Sequence, residues 1–255
     1  MASESTTAAV ALAVRDLVKV YPGAAEPALD GLNVTVRRGE MLGLLGPNGA
    51  GKTTAIAIMT TLLAPTRGTV TVGGFDVRRE PAQVRTLIGL VPQEIALYPT
   101  LTIRENLRYF GRLHGLRGAA LEARLATCLD VMGLGEQADR RVQTRSGGIK
   151  RRANLAAGLL PAPALLFLDE PTVGIDAQSR SLIFDSLARL RTGGTTLVYT
   201  THYMEEAERY CSQVVIMDAG RAVAAGTPAE LVGQQPDCRD LEAVFLKLTG
   251  RHLRD

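Results

Sequence analysis

The chain has 255 residues, 46% hydrophobic and 22% charged, with 26 Gly, 12 Pro, six Tyr, five Phe and no Trp. That balance is too apolar for a disordered chain, and the length suits one large α/β domain or two small ones that fold without staples. The formal net charge is only +3, so a nucleic-acid footprint would have to appear as a local patch, not in the total.

Residues 1–9 are small and polar and read as a frayed start. The opening MASESTTAAVALAV carries Glu4, lacks a basic stretch and runs into Arg15 and Asp16, so no signal peptide is expected. Strand-like runs follow at 10–20, 32–37 and 41–45, with a break at Pro22-Gly23. A helical pattern extends from Gly51 through Thr60, and residues 65–68 make a turn. An alternating strand over 69–72 then ends at Gly73-Gly74.

From Thr100 to Leu160 the pattern is mostly helical. Thr102 with Glu105 predicts a capping box, and Leu121, Leu125, Leu129 and Met132 recur at helical spacing. Residues 165–168 and 195–199 are short continuous apolar strands, as in a parallel sheet covered on both faces. Ile183, Leu187 and Leu190 line a helix between them, which makes a βαβ crossover. Residues 213–217 and 221–225 read as a hairpin turning at Asp218-Ala219-Gly220. The chain closes on a helix over 240–248 with Leu241, Val244, Phe245 and Leu248 on one face.

Two classes are excluded along the way. A spanning helix needs roughly 20 apolar residues in a row. The longest candidate, 155–168, is shorter and is cut by Pro161 and Pro163. Cys128, Cys211 and Cys238 are odd in number, far apart and free of CxxC spacing, so neither a zinc site nor a disulfide framework is expected. A soluble chain in a reducing cytosol is the expectation.

The chemistry begins at Gly46-Pro47-Asn48-Gly49-Ala50-Gly51-Lys52-Thr53, which fits G-x-x-x-x-G-K-[ST] between a strand and a helix. Glycines there let consecutive backbone N–H groups turn toward phosphate oxygens, and the helix behind adds its positive end. Lys52 is expected on the β- and γ-phosphates, the Thr53 hydroxyl on Mg²⁺ and Thr54 on the α-phosphate. A second acid comes from Asp169-Glu170, at the C-terminal end of an apolar strand, where open α/β sheets bind ligands. Asp169 is expected to hold Mg²⁺, directly or through water, and Glu170 to polarise an attacking water.

These residues resemble the ATP-binding cassette (ABC) ATPases that power membrane transporters, over about residues 10–235. The resemblance rests on several motifs in the family's order. Tyr21 stands where an aromatic residue stacks on adenine. Gln93 in Val91-Pro92-Gln93-Glu94 matches the glutamine loop, which serves the metal and γ-phosphate. Ser146-Gly147-Gly148 matches the core of the signature LSGGQ, with Arg145 in place of Leu and Ile149 in place of Gln. Gly174-Ile175-Asp176 resembles the D-loop, and Thr200-Thr201-His202 matches the switch histidine. Asp176 suits a helix cap equally well. His114 and His252 lie in no phosphate motif.

The resemblance implies a P-loop NTPase fold of the α/β class. It comprises a RecA-like parallel sheet core, an antiparallel β subdomain and a helical subdomain inserted at about 93–155, followed by a short helical tail at 236–255. It implies ATP and Mg²⁺ as ligands, with Glu170, His202, Gln93 and Lys52 as the catalytic set. Two ATP molecules would be sandwiched in a homodimer, or in a heterodimer with a second ABC ATPase, the P-loop of one subunit facing residues 146–148 of the other. Separate transmembrane permease subunits would dock on the helical region and hold the chain peripherally on the cytoplasmic face. The wording of residues 98–102, 201–207 and 226–228 is most similar to antibiotic-resistance and nodulation-factor exporters. Importer ATPases of this kind usually carry a longer C-terminal domain. The alternatives are a non-transport ABC ATPase or a low-turnover ATP-dependent clamp. The basic cluster Arg140, Arg141, Arg145, Lys150, Arg151 and Arg152 has no interleaved aromatics, so a solvated face or support for the phosphate cradle is expected and nucleic acid is not.

Overall fold

The computed structural model describes residues 9–250, and all of the expected frayed start except residue 9 lies outside the described residues. The first half of the chain runs β1 (Val10–Lys19), β2 (Leu29–Arg37), β3 (Met41–Leu45), α1 (Lys52–Met59), β4 (Arg67–Val72), β5 (Phe75–Asp76), α2 (Pro81–Leu87), β6 (Ile88–Val91), α3 (Ile103–Leu113) and α4 (Gly118–Val131). The second half runs α5 (Gly147–Leu159), β7 (Leu165–Asp169), α6 (Ala177–Thr192), β8 (Thr196–Thr201), α7 (Met204–Tyr210), β9 (Gln213–Asp218), β10 (Arg221–Gly226), α8 (Pro228–Gly233) and α9 (Leu241–Thr249).

These elements form an α/β fold with two sheets. One is four-stranded and antiparallel, in the order β2-β1-β4-β5; the other is six-stranded, in the order β10-β9-β3-β8-β7-β6. In the larger sheet β9, β3, β8, β7 and β6 pair in parallel, and β10 closes one edge as an antiparallel hairpin partner of β9.

The continuous apolar strands are continuous because both faces of the sheet are covered. Residues of alternate parity enter different cores. Leu165 and Phe167 pack with α1 and the antiparallel sheet, whereas Leu166 and Leu168 pack with the helices on the other face. Val198 and Tyr199 divide in the same way. The expected capping box is present: Thr102 Oγ1 accepts from Glu105 N–H at 3.1 Å and Glu105 Oε2 accepts from Thr102 N–H at 2.8 Å. A second box, Thr227 with Glu230, opens α8 in the same manner. In the last helix Leu241, Val244 and Phe245 are buried in the core that α7 and α8 share, but Leu248 is 39% exposed. The expected apolar face therefore stops about one turn early, at Phe245, and Leu248 lies beyond the core that α7 and α8 share with this helix. No helix among the described residues is long and apolar enough to cross a membrane.

Phe167 is fully buried where α1, the larger sheet and the antiparallel sheet meet. Phe167→Ala removes about 3–5 kcal/mol of stability. Equilibrium urea unfolding checks this as a lower midpoint with an unchanged slope.

Candidate functional site

The parallel register sets up the site. Leu45 of β3 lies opposite Thr201 of β8, and Thr200 lies opposite Asp169 of β7, so three neighbouring strands end at one level. The loop 46–51 leaves β3 there. Gly46 has φ +154°, and a Cβ on it would stand 2.3 Å from the Met217 carbonyl oxygen. Gly51 has φ +99°, and its Cβ would stand 2.5 Å from the Ala28 carbonyl oxygen. The loop thus holds glycine where backbone from β9 and from the start of β2 closes on it. The β9–β10 turn braces it from behind, with Gly220 N–H donating to Ala50 O at 3.2 Å.

Helix α1 begins at Lys52 with no side-chain cap, so its first-turn amides face outward without intrahelical acceptors. Lys52 is buried, and its ammonium donates to the carbonyls of Gly46 at 2.8 Å and Pro47 at 3.1 Å. It lies 3.4 Å from Glu170 Oε1. The other Glu170 oxygen lies 3.4 Å from His202 Nδ1, which has no hydrogen-bond partner among the described residues. Glu170 is itself buried at φ +45°, a left-handed backbone that costs a non-glycine residue, and its N–H donates to Thr200 Oγ1 at 2.9 Å. The strand end is thereby fixed as it turns the carboxylate between a lysine and a histidine.

Asp169 Oδ1 accepts from Thr200 Oγ1 at 2.6 Å and lies 3.5 Å from Thr53 Oγ1. A carboxylate and a hydroxyl at that separation are hard oxygen donors of the kind Mg²⁺ takes. The open glycine loop and uncapped helix start provide the donors that a phosphate chain takes. The residues present therefore fit both groups.

Tyr21 is exposed, and its hydroxyl lies 3.3 Å from Thr54 Oγ1, beside the same helix start. The expected residues Gly46 to Thr54, Tyr21, Asp169, Glu170 and His202 are thus gathered in one place.

The remaining candidates make no hydrogen bond or ion pair to these residues among the described residues. Gln93 is exposed, and among the described residues only its backbone carbonyl is held, by the Arg151 guanidinium. Ser146 caps α5 by accepting from Ile149 N–H at 3.4 Å. Gly148 presses on α6, where a Cβ would stand 2.4 Å from Ser179 Cβ. Asp176 caps α6, accepting from Ser179 N–H at 2.8 Å and Oγ at 2.7 Å, and these bonds lower its pKa. No hydrogen bond or ion pair among the described residues joins 146–148 to the loop 46–54. Arg145 donates to Gln137 Oε1 and Thr144 Oγ1, within its own subdomain.

Two sets of residues take roles that the sequence did not assign them, and Arg151 of the basic cluster is buried and not on a solvated face. Thr200 ties Asp169 to the Glu170 backbone, and only its place beside His202 hinted at a role. Arg151 and Asn154 of α5 grip the loop after β6. Asn154 Oδ1 accepts from Ala96 N–H at 3.1 Å, and its amide donates to the carbonyls of Pro92 at 3.2 Å and Glu94 at 3.3 Å. Burial of Arg151 lowers its pKa.

Residues 29–173 match the family model described as ABC transporter. The chain is 47% identical over 201 residues to the linearmycin resistance ATP-binding protein LnrL of Bacillus subtilis (strain 168), covering 79% of this chain and 65% of that protein. It therefore spans just under two thirds of that relative's length. It is 41% identical over 231 residues to the Nod factor export ATP-binding protein I of Cupriavidus metallidurans, covering 91% of this chain and 76% of that one. Among solved structures, the ATP-binding cassette MJ0796, a dimer in a post-hydrolysis state bound to ADP and Pi, superposes with a TM-score of 0.76 at 27% identity, over 85% of this chain and 98% of that chain. Since the family model spans more than half of the chain, the protein belongs to the ABC transporter family.

Proposed function

We propose that the chain hydrolyses ATP as the nucleotide-binding subunit of an exporter. The observation that carries this reading is the meeting of Lys52, Asp169, Glu170 and His202 at the end of three parallel strands. Lys52 and the α1 amides neutralise and orient the phosphate chain of bound ATP. Glu170, held at the strand end by Thr200, orients and polarises the attacking water. His202 lies beside Glu170 and completes the γ-phosphate surroundings with Gln93. Thr53, Asp169 and Gln93 would hold Mg²⁺, which would supply positive charge to the phosphate oxygens when bound.

Residues 146–148 sit on the D-loop helix, not on the P-loop of their own chain. That separation supports a composite site in which this cradle caps ATP held by a second subunit, a copy or a similar ATPase. A phosphate-binding glycine turn at a helix start needs an anion, and the partner's ATP provides one. Closure on two ATP molecules then stores binding energy, which hydrolysis releases.

An open groove of about 410 Å³ lies between the β6 strand end and α3, lined by Leu62, Leu90, Ala96, Phe110, His114 and Gly158. Its lining is mainly apolar and it borders the loop carrying Gln93. This supports docking of a cytoplasmic helix from a membrane permease, which would place the chain peripherally at the membrane. The resistance and export functions for which LnrL and the Nod factor relative are named favour outward transport.

Lys52→Ala is expected to lower ATP turnover by at least about 100-fold, measured as phosphate release. Retained turnover would remove the loop from the mechanism. Glu170→Gln is expected to keep ATP binding and accumulate a closed dimer, seen by size-exclusion chromatography with ATP, while turnover falls by about 100-fold or more. Co-purification from native membranes tests the transport assignment: a membrane permease should accompany the chain, and its absence would sink the exporter reading.

A further inference from the structure

Behind the site lies a third buried carboxylate, besides Asp169 and Glu170, and the proposed chemistry does not use it. Glu206, on α7, is 5% exposed. One of its oxygens, Oε2, accepts from Thr201 Oγ1 at 3.1 Å, from Thr172 Oγ1 at 3.0 Å and from the Tyr199 hydroxyl. The other, Oε1, lies 3.3 Å from Arg180 Nε of α6 in an ion pair without hydrogen-bond alignment. Burial beside Glu206 pushes the Tyr199 pKa well up, so its hydroxyl stays a donor.

Each of these partners adjoins a part of the site. Thr172 follows Glu170 by two residues. Thr201 precedes His202 directly, and its hydroxyl also accepts from Tyr203 N–H at 2.9 Å, so both neighbours of His202 are fixed through one oxygen. The Tyr203 ring lies 4.2 Å from the His202 ring and carries the Arg180 guanidinium 5.2 Å from its centroid. Arg180 in turn follows Ser179, the residue that Gly148 presses on. One charge thus ties together the loop after Glu170, the seat of His202 and the helix beneath the signature turn.

We propose that Glu206 is a positioning residue for ATP hydrolysis, setting the orientation of His202 through Thr201, Tyr203 and Arg180. This rests on the reading of the chain as an ATPase. The negative charge matters because three hydroxyls converge on one oxygen while the Arg180 cation faces the other. A carboxamide of the same shape removes the charge that faces Arg180, and whichever way it turns, either its N–H₂ group meets the guanidinium or the three hydroxyls must reorient to accept from it. The expected consequence is a loosened His202 without any change where ATP is held.

Steady-state phosphate release by the purified full chain is the test. Wild-type turnover that Lys52→Ala abolishes establishes the ATPase; turnover absent or independent of Lys52 would overturn the functional reading and this inference with it. Given that turnover, Glu206→Gln is expected to lower kcat by about tenfold with KM for ATP held within about twofold. In a His202→Ala background the same change is expected to cost less than about twofold, since its effect runs through the missing ring. An unchanged kcat, or a full tenfold loss in both backgrounds, would overturn the inference while leaving the ATPase reading intact. Should Glu206→Gln fail to fold, Tyr199→Phe keeps the ring in the core and deletes one donor. It is expected to lower kcat by about threefold with KM unchanged and to lose that effect in the His202→Ala background. A loss through KM alone would overturn the inference.

Discussion

Everything in this molecule is arranged around a lysine and a carboxylate that meet out of water. Lys52 and Glu170 are both buried and lie 3.4 Å apart. Removing two charges from solvent is expensive, and attraction alone seldom offsets it unless the remaining donors and acceptors are met. Here Gly46 and Pro47 carbonyls take the other ammonium protons, and Thr200 fixes the Glu170 backbone. Those partners exist only if β3, β7 and β8 end at the same level. That in turn requires a parallel sheet buried on both faces, with the P-loop wrapped tightly enough that a Cβ at Gly46 would strike the backbone of β9. The composition of the strands, the glycines and the strained Glu170 are consequences of holding this one pair.

The same logic explains how the rest of the chain reaches the pair. The two cores on either side of the sheet are separate, yet Phe167 and Leu168 are adjacent residues with one in each. A disturbance of either core is felt at Asp169 and Glu170, which continue the same strand. Tyr199 serves similarly: its ring packs against Phe184 of α6 at 5.7 Å between centroids while its hydroxyl reaches the polar cluster beneath His202. Structural side chains and site side chains are consecutive along these strands, so packing and chemistry are mechanically continuous.

How far this was legible in the sequence depended on whether the partners were local. The P-loop declares itself because its function needs an unbroken run of residue types. The capping box at Thr102 and Glu105 is legible for the same reason, both partners lying within one helical turn. Asp169-Glu170 could be read because an apolar strand delivers them. The contacts of Thr200, Glu206, Arg151 and Asn154 could not, since each acts on groups brought near only by folding: Thr200 on Asp169, Glu206 on Thr172, Arg151 on Gln93, Asn154 on Pro92 and Ala96. Leu248 was misjudged because helical spacing says which residues share a face but not how long the facing surface is. Asp176 fitted two roles from the start, and the hydrogen bonds it makes are those of the cap.

The longest mechanical consequence concerns α5. Its first turn is the glycine-rich cradle, capped by Ser146, and one turn and two turns later Arg151 and Asn154 hold four backbone groups of residues 92–96. A helix is stiff over such a length, and backbone held by several hydrogen bonds moves with what holds it. The groove bordered by Ala96 and Gly158 is therefore rigidly joined to the cradle at the other end of the same helix. Under the proposed function, a permease helix pressing into that groove would shift residues 146–148 against α6, where Gly148 and Ser179 leave no slack. The Glu206 cluster begins at Arg180, the next residue of α6. Under that reading, a load on the groove reaches His202 through α5, the Gly148–Ser179 contact, the Arg180–Glu206 ion pair and the Thr201 hydroxyl.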